Sequence, residues 1–219
     1  NTDGGNQIVF QNGADLYLYK IEEDKLAKLD ITLPSDRVNT RTRTPDAKKF
    51  VEDYTVSNDG RKVLLSVRGD LYNMPVKTGR VIPVAQTQGV RETKAILAGK
   101  DEQFAIYYSD KSGDYELYRC DARTGEKEEQ ITTSKDEGHH FLEPYFPIVA
   151  SPDGENIAWA DQTGTLFSTG VTTHTLTLIT QSKVAEITEY EWSPDSKHLA
   201  YAERMENDYR RISVYTKET

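Results

Sequence analysis

Cysteine occurs once in the 219 residues, at Cys120, and methionine and tryptophan occur twice each. A single cysteine excludes an intrachain disulfide and a cysteine-based metal centre; on a strand it reads as a small hydrophobe. Long apolar runs are missing as well, since no stretch approaches the ~20 residues of a membrane-spanning helix. No basic, apolar signal segment stands at Asn1, and one removed by processing leaves the same start. Positive charge is in deficit, with 27 Lys and Arg against 36 Asp and Glu and a net charge of −9. Nucleic acid is therefore a poor partner. Hydrophobic residues make up only 36% of the chain, and no segment shows a 3.6-residue apolar period. The best helical candidate, Asp46 to Asp53, is short and highly charged. A thick helical core is excluded, and thin layers with small apolar stripes fit better. The 13 tyrosines argue against disorder, which is poor in aromatics.

A repeat is present. Ser57-Asn58-Asp59-Gly60, Ala98-Gly99-Lys100-Asp101, Ser151-Pro152-Asp153-Gly154 and Ser193-Pro194-Asp195-Ser196 align, and each precedes an apolar triplet. With Ile8-Val9-Phe10, the triplets begin at residues 8, 63, 104, 157 and 199, in steps of 55, 41, 53 and 42. The period is about 41–42 residues, lengthened in two copies. A second register follows at Leu16-Tyr17, Leu71-Tyr72, Leu117-Tyr118, Leu166-Phe167 and Ile212. Thr78-Gly79 and Thr124-Gly125 then precede a further run, of which Val81 to Val84 is one case and Leu176 to Ile179, after His174, another. Each copy reads as four short strands. Ser and Asp side chains cap the first turn, Pro presets its φ and Gly takes the positive φ. Weak alternation in the second strand is expected when both sheet faces are covered.

Four strands per ~42 residues is the pattern of a β-propeller blade. The expectation is an all-β propeller segment of about four and a half four-stranded antiparallel blades. The approximate blades are 1–33, 50–87, 92–133, 144–182 and 186–219, with insertions at 34–49 and 134–143. The first copy lacks its first strand and the last lacks its fourth, so the leftovers duplicate rather than complement each other. The chain is expected to be part of a larger propeller, forming an open arc or relying on further blades.

The Ser-Pro-Asp-Gly…Ile-Ala-Trp pattern resembles the blades of TolB-like and tricorn-type propellers. Leu33 to Arg37 running to Arg41 and Arg43, Phe50 to Leu65, Arg68 to Tyr72, Pro75 to Gly79 and Ser109 to Tyr118 together resemble the N-terminal propeller of tricorn-type serine peptidases. The resemblance covers nearly the whole chain. It implies that catalysis resides elsewhere, in a core with a PDZ domain, a serine nucleophile and a histidine. It also implies that the propeller channel filters and guides unfolded peptides. The expected partners are peptides or unfolded segments, the remaining blades and the catalytic core. The resemblance also favours an exported bacterial protein over a cytoplasmic one.

The residues themselves point to no chemistry. There is no Gly-x-Ser-x-Gly elbow, and turn capping accounts for Ser57, Ser151 and Ser193. His139-His140, near Asp136, Glu137 and Glu143, point to opposite sides of an extended chain and read as a polar loop. His174 and His198 fall in turns and read as solvated. One Asp per turn is too few for calcium, which takes six or more oxygens. No catalytic residue, metal or cofactor is expected. The one candidate binding set is Arg37, Arg41 and Arg43 in the first insertion, a basic group able to grip a peptide carboxylate bidentately. Packing of that loop across neighbouring blades or onto a catalytic core is the reading favoured over carboxylate binding. The innermost strands, expected at Tyr54 to Ser57, Lys94 to Leu97, Phe146 to Ala150 and Ile187 to Trp192, would line the channel. Two other classes remain open: a stand-alone interaction module, as in TolB-like propellers, and a propeller hydrolase with an axial metal. The hydrolase needs convergent His, Asp or Glu on the inner strands.

Overall fold

The computed structural model describes residues 5–31, 46–134 and 142–217. They form five antiparallel sheets of three, four, four, four and three strands, each built from strands consecutive in sequence. The chain divides into two compact units, residues 1–45 and 46–219.

The first unit holds one sheet of β1 (Gln7–Asn12), β2 (Asp15–Lys20) and β3 (Lys25–Leu29). Register places Ile8, Tyr19 and Leu26 on one face and Val9, Leu18 and Ala27 on the other. Both faces are apolar, as in a sheet meant to be covered on two sides.

The second unit holds four sheets. The first consists of β4 (Val51–Val56), β5 (Lys62–Val67), β6 (Asp70–Pro75) and β7 (Ile82–Ala85). The next has β8 (Glu92–Ala98), β9 (Phe104–Ser109), β10 (Glu116–Asp121) and the two-residue β11 (Glu129–Gln130). Then come β12 (Val149–Ala150), β13 (Asn156–Ala160), β14 (Thr165–Gly170) and β15 (Leu176–Gln181). The last has β16 (Tyr190–Trp192), β17 (His198–Arg204) and β18 (Arg210–Thr216). The candidate helix at 46–53 is one 3-10 turn, Ala47–Phe50, running into β4. Its Lys48-Lys49 pair has no apolar face to bury, so the chain extends instead.

Three cores fill the spaces between these sheets. Leu64, Leu71 and Val84 meet Ala95, Ala105, Tyr107 and Cys120 in the first. Ile106, Tyr108 and Leu117 meet Ile157, Trp159 and Phe167 in the second. Ala158, Ala160 and Leu166 meet Tyr190, Trp192 and Leu199 in the third. Neighbouring residues on one strand thus serve opposite cores: Ala105 and Tyr107 face one way, Ile106 and Tyr108 the other. Two covered faces explain why the second strands are nearly continuous in hydrophobicity. A small residue facing a large one keeps each layer thin. Full burial of each large side chain contributes about 1.5–3 kcal/mol.

The repeated turn has one geometry in three copies. Ser57 Oγ donates to Asp59 Oδ1 (2.6 Å), and the backbone N–H groups of Arg61 and Lys62 donate to Asp59 Oδ1 and Ser57 Oγ (both 2.9 Å). Ser151–Asp153 and Ser193–Asp195 repeat it, with Ser-to-Asp distances of 2.5 and 2.6 Å. These bonds hold the Asp59 and Asp195 carboxyls below the usual carboxylate range. Ala98-Gly99-Lys100-Asp101 departs from it. Without a serine at 98 there is no cap, and Lys100–Glu102 form a 3-10 turn with Asp101 at φ 56°.

Candidate functional site

The turns of neighbouring sheets are tied in series. Asn58 N–H donates to Glu102 Oε1 (2.7 Å), Gly99 N–H to Gly154 O (3.0 Å), and Asp153 N–H to Ser196 Oγ (2.9 Å). Ser196 sits at φ 59°, where Gly60 and Gly154 stand in the other two Ser-x-Asp turns, and its hydroxyl supplies the tie that a glycine lacks. This seam fixes the first strands of successive sheets side by side.

Those strands and the segments leading into them are also joined directly: Thr55 Oγ1 donates to Ala95 O (2.8 Å), Trp192 Nε1 to Val149 O (3.2 Å) and Tyr190 OH to Pro147 O, while Tyr108 OH of β9 donates to Phe146 O (3.2 Å). β12 is only two residues long, so its neighbours' carbonyls are free to accept side-chain donors. Burial pushes the Tyr107, Tyr108 and Tyr190 hydroxyls far up, so they act as neutral donors.

Charged groups flank these strands. Lys94, held at φ 53° in a bulge of β8, pairs with Asp53 of β4 at 3.6 Å. Arg91 pairs with Glu52 at 2.8 Å, and Arg210 with Glu189 at 2.5 Å. At the last two sheets the inner rim opens into two adjoining hollows that share Thr188, Glu189 and Ala202. One, about 440 Å³, is lined by Pro147, Val149, Glu191 and Ile212 among others. The other, about 180 Å³, takes in Tyr145, which is 74% exposed and packs its ring edge-on to Phe146 at 5.5 Å. The surface mixes apolar, aromatic and acidic groups.

Ser57, Ser151 and Ser193 each donate their hydroxyl hydrogen bond to an aspartate carboxylate. Burial pushes the Cys120 thiol up to about 12, which leaves it protonated and unreactive. Among the described residues no three His, Cys, Asp or Glu side chains are grouped to hold a metal ion. His174 is not freely solvated: its side chain is 32% exposed and its Nε2 lies 3.8 Å from Glu129.

Arg37, Arg41 and Arg43 lie outside the described residues, as do Asp136, Glu137, His139 and His140. The inner strands are longer than expected at β4 and β8 and shorter at β12 and β16. Two features escaped sequence reasoning. Tyr145 gave a signal only as an aromatic between Pro144 and Pro147, and Lys94 gave none, because no glycine marks its left-handed backbone.

No protein-family model matches the chain. It is 25% identical over 202 residues to a tricorn protease homolog of Saccharolobus solfataricus, covering 90% of this chain and 17% of that protein. It is 30% identical over 207 residues to a protein of Sulfurisphaera tokodaii named as a tricorn-like protease C-terminal subunit, covering 90% and 21%. The chain thus spans about a fifth of the length of these curated relatives. Among solved structures, a tricorn protease superposes with a TM-score of 0.64 at 24% identity, over 97% of this chain and 20% of that one. TolB from Acinetobacter baumannii superposes with 0.58 at 14% identity, over 96% and 49%. The fold is shared with both.

Proposed function

We propose that this chain, a propeller segment of tricorn type, is a non-catalytic part of a tricorn-like serine peptidase and acts as scaffold and channel for peptide substrates. The observation that supports this most is the inner rim. Its strands are locked together by side-chain donors, and it carries an open apolar and acidic surface at Tyr145, Pro147, Val149 and Glu191. Such a surface holds extended peptides weakly and without strict sequence choice, as guidance requires. Arg37, Arg41 and Arg43 are assigned the grip on the peptide's C-terminal carboxylate. In the intact protein, charge reversal at Arg41 and Arg43 is expected to weaken binding of peptides with a free C-terminus and to spare amidated ones. Unchanged affinity for both removes that assignment. The purified 219-residue chain is expected to cleave no peptide, and hydrolysis by it overturns the non-catalytic reading.

A second reading, a protein-interaction module, draws on the likeness of fold to TolB. It predicts tight binding of one folded partner and weak, unselective binding of none.

A further inference from the structure

The first residue of β8 ties two sheets together. Glu92 N–H donates to Gly69 O (2.8 Å), in the turn between β5 and β6, and Glu92 O accepts from Ser66 Oγ of β5 (3.3 Å). Its side chain turns back to the segment between β7 and β8, where Oε1 accepts from Thr87 N–H (3.2 Å). Residues beside it reach β4, Arg91 pairing with Glu52 and Lys94 with Asp53. One glutamate thus fixes where the inner strand β8 meets the sheet before it.

The carboxyl is badly placed to carry a charge. Glu92 is fully buried, and its Oε2 has no hydrogen-bond partner. A carboxylate in such a seat needs a cation or several donors. Among the described residues the nearby cations are engaged elsewhere. Lys111, in the turn between β9 and β10, pairs with Glu128, Arg91 and Lys94 pair with β4, and Arg68 lies over the ring of Phe50. The other titratable groups facing Glu92 are Asp70 of β6, Tyr107 of β9, Cys120 of β10 and Glu128 ahead of β11. None of them donates to it. Tyr107 OH donates to Glu128 Oε1 (2.8 Å), and Cys120 Sγ to Val84 O (3.7 Å). Asp110 accepts from Arg91 N–H (2.8 Å), and β5 and β12 bring no charged group to this end of β8. Burial first, and then Asp70 and Glu128, raise the Glu92 carboxyl above the usual range.

We propose that Glu92 is a proton-operated catch between the first two four-stranded sheets. Protonated, it keeps its seat and holds β8 to the Gly69 turn. Ionised, it swings toward water, and the ties to Thr87 and Gly69 open together. The opening is local, because Glu92 lies outside the hydrophobic cores on either side. The sign follows from linkage: the contribution of a raised carboxyl is present at low pH and is lost as pH climbs through the folded value. The catch stands apart from peptide guidance at the inner rim.

The test is hydrogen exchange on the whole chain, read at single amides by NMR at pH 4.5 and pH 8 and corrected for the intrinsic pH dependence of exchange. In the parent, protection of the Glu92 and Thr87 N–H groups is expected to fall about tenfold or more from pH 4.5 to pH 8. Val171 N–H, which donates to Glu155 O in the sheet of β12 to β15, is expected to keep its protection within about threefold. Glu92→Gln is neutral at both pH values and still accepts from Thr87 through its amide oxygen, so it is expected to stay protected at both. Should Glu92→Gln not fold, Asp70→Asn serves instead. It removes one neighbouring negative charge, eases ionisation of Glu92, and is expected to move the fall in protection to lower pH. Equal protection of Glu92 at both pH values, an equal fall in Glu92→Gln, or an equal fall at Val171 overturns the proposal. So does a fall in Asp70→Asn that stays in place or moves to higher pH.

Discussion

Replacing Gly154 by alanine tests the seam that aligns the inner strands, and Gly60 supplies an internal control. Both glycines occupy the same position of the Ser-x-Asp-Gly turn, at φ +72° and +66°. An alanine in that left-handed region costs about 1–2 kcal/mol. At Gly60 the added Cβ meets nothing within 4 Å, so Gly60→Ala is expected to cost that and no more. At Gly154 the Cβ comes within 2.4 Å of Gly99 O, 2.6 Å of Gly99 C and 2.8 Å of Gly99 N, all backbone. Gly99 N–H is also the donor to Gly154 O. The two backbones must part, losing that hydrogen bond for about 0.5–1.5 kcal/mol and disturbing the packing behind it. Gly154→Ala is therefore expected to cost about 3 kcal/mol or more. Thermal and urea unfolding followed by circular dichroism give both values. Equal losses for the two variants refute the reasoning, because the close approach of neighbouring turns would then carry no energy.

Further outcomes concern buried groups. Glu92 is fully buried; its Oε1 accepts from Thr87 N–H at 3.2 Å, while Oε2 has no partner. Burial, with Asp70 and Glu128 nearby, raises its carboxyl above the usual range. A raised carboxyl stabilises the fold below its unfolded pKa and loses that contribution as pH climbs through the folded pKa. Glu92→Gln is therefore expected to gain in melting temperature over the parent at pH 8, with the gain shrinking at pH 4.5; a constant gap contradicts this. Cys120, pushed up to about 12 by burial, is expected to resist disulfide-exchange labelling until the protein unfolds, and rapid native labelling contradicts its placement. Ser151→Ala removes the donor to Asp153 and the acceptor for Asn156 N–H. It is expected to cost about 1–3 kcal/mol by denaturant titration, since the site is buried; no loss means that the cap is dispensable.

The propeller architecture was legible because its signals are local. A Ser-x-Asp-Gly turn states its own hydrogen bonds, and an apolar triplet at fixed offset marks the strand that both neighbours cover. The Ala98 copy shows the limit. Its sequence aligns with the other copies, but Ala98 cannot cap, and Gly99 instead meets the next sheet at Gly154. The site was less legible because it depends on contacts across about 40 residues. Tyr190 reaching Pro147 O and Trp192 reaching Val149 O leave no mark in either segment. Buried Glu92 and left-handed Lys94 look in the sequence like ordinary surface charges. Of the arginine set, the placement lies outside the described residues.

The central claim is that the inner rim holds extended peptides without cleaving them. Fluorescence anisotropy with a labelled, unstructured ten-residue peptide measures it on the parent chain and on Tyr145→Ala. The exposed ring of Tyr145 contributes little to the fold, so its melting temperature should not change. The account predicts intact peptide after prolonged incubation and about tenfold weaker binding by the variant, as for an aromatic anchor. Unchanged affinity, or peptide hydrolysed by the chain, contradicts it.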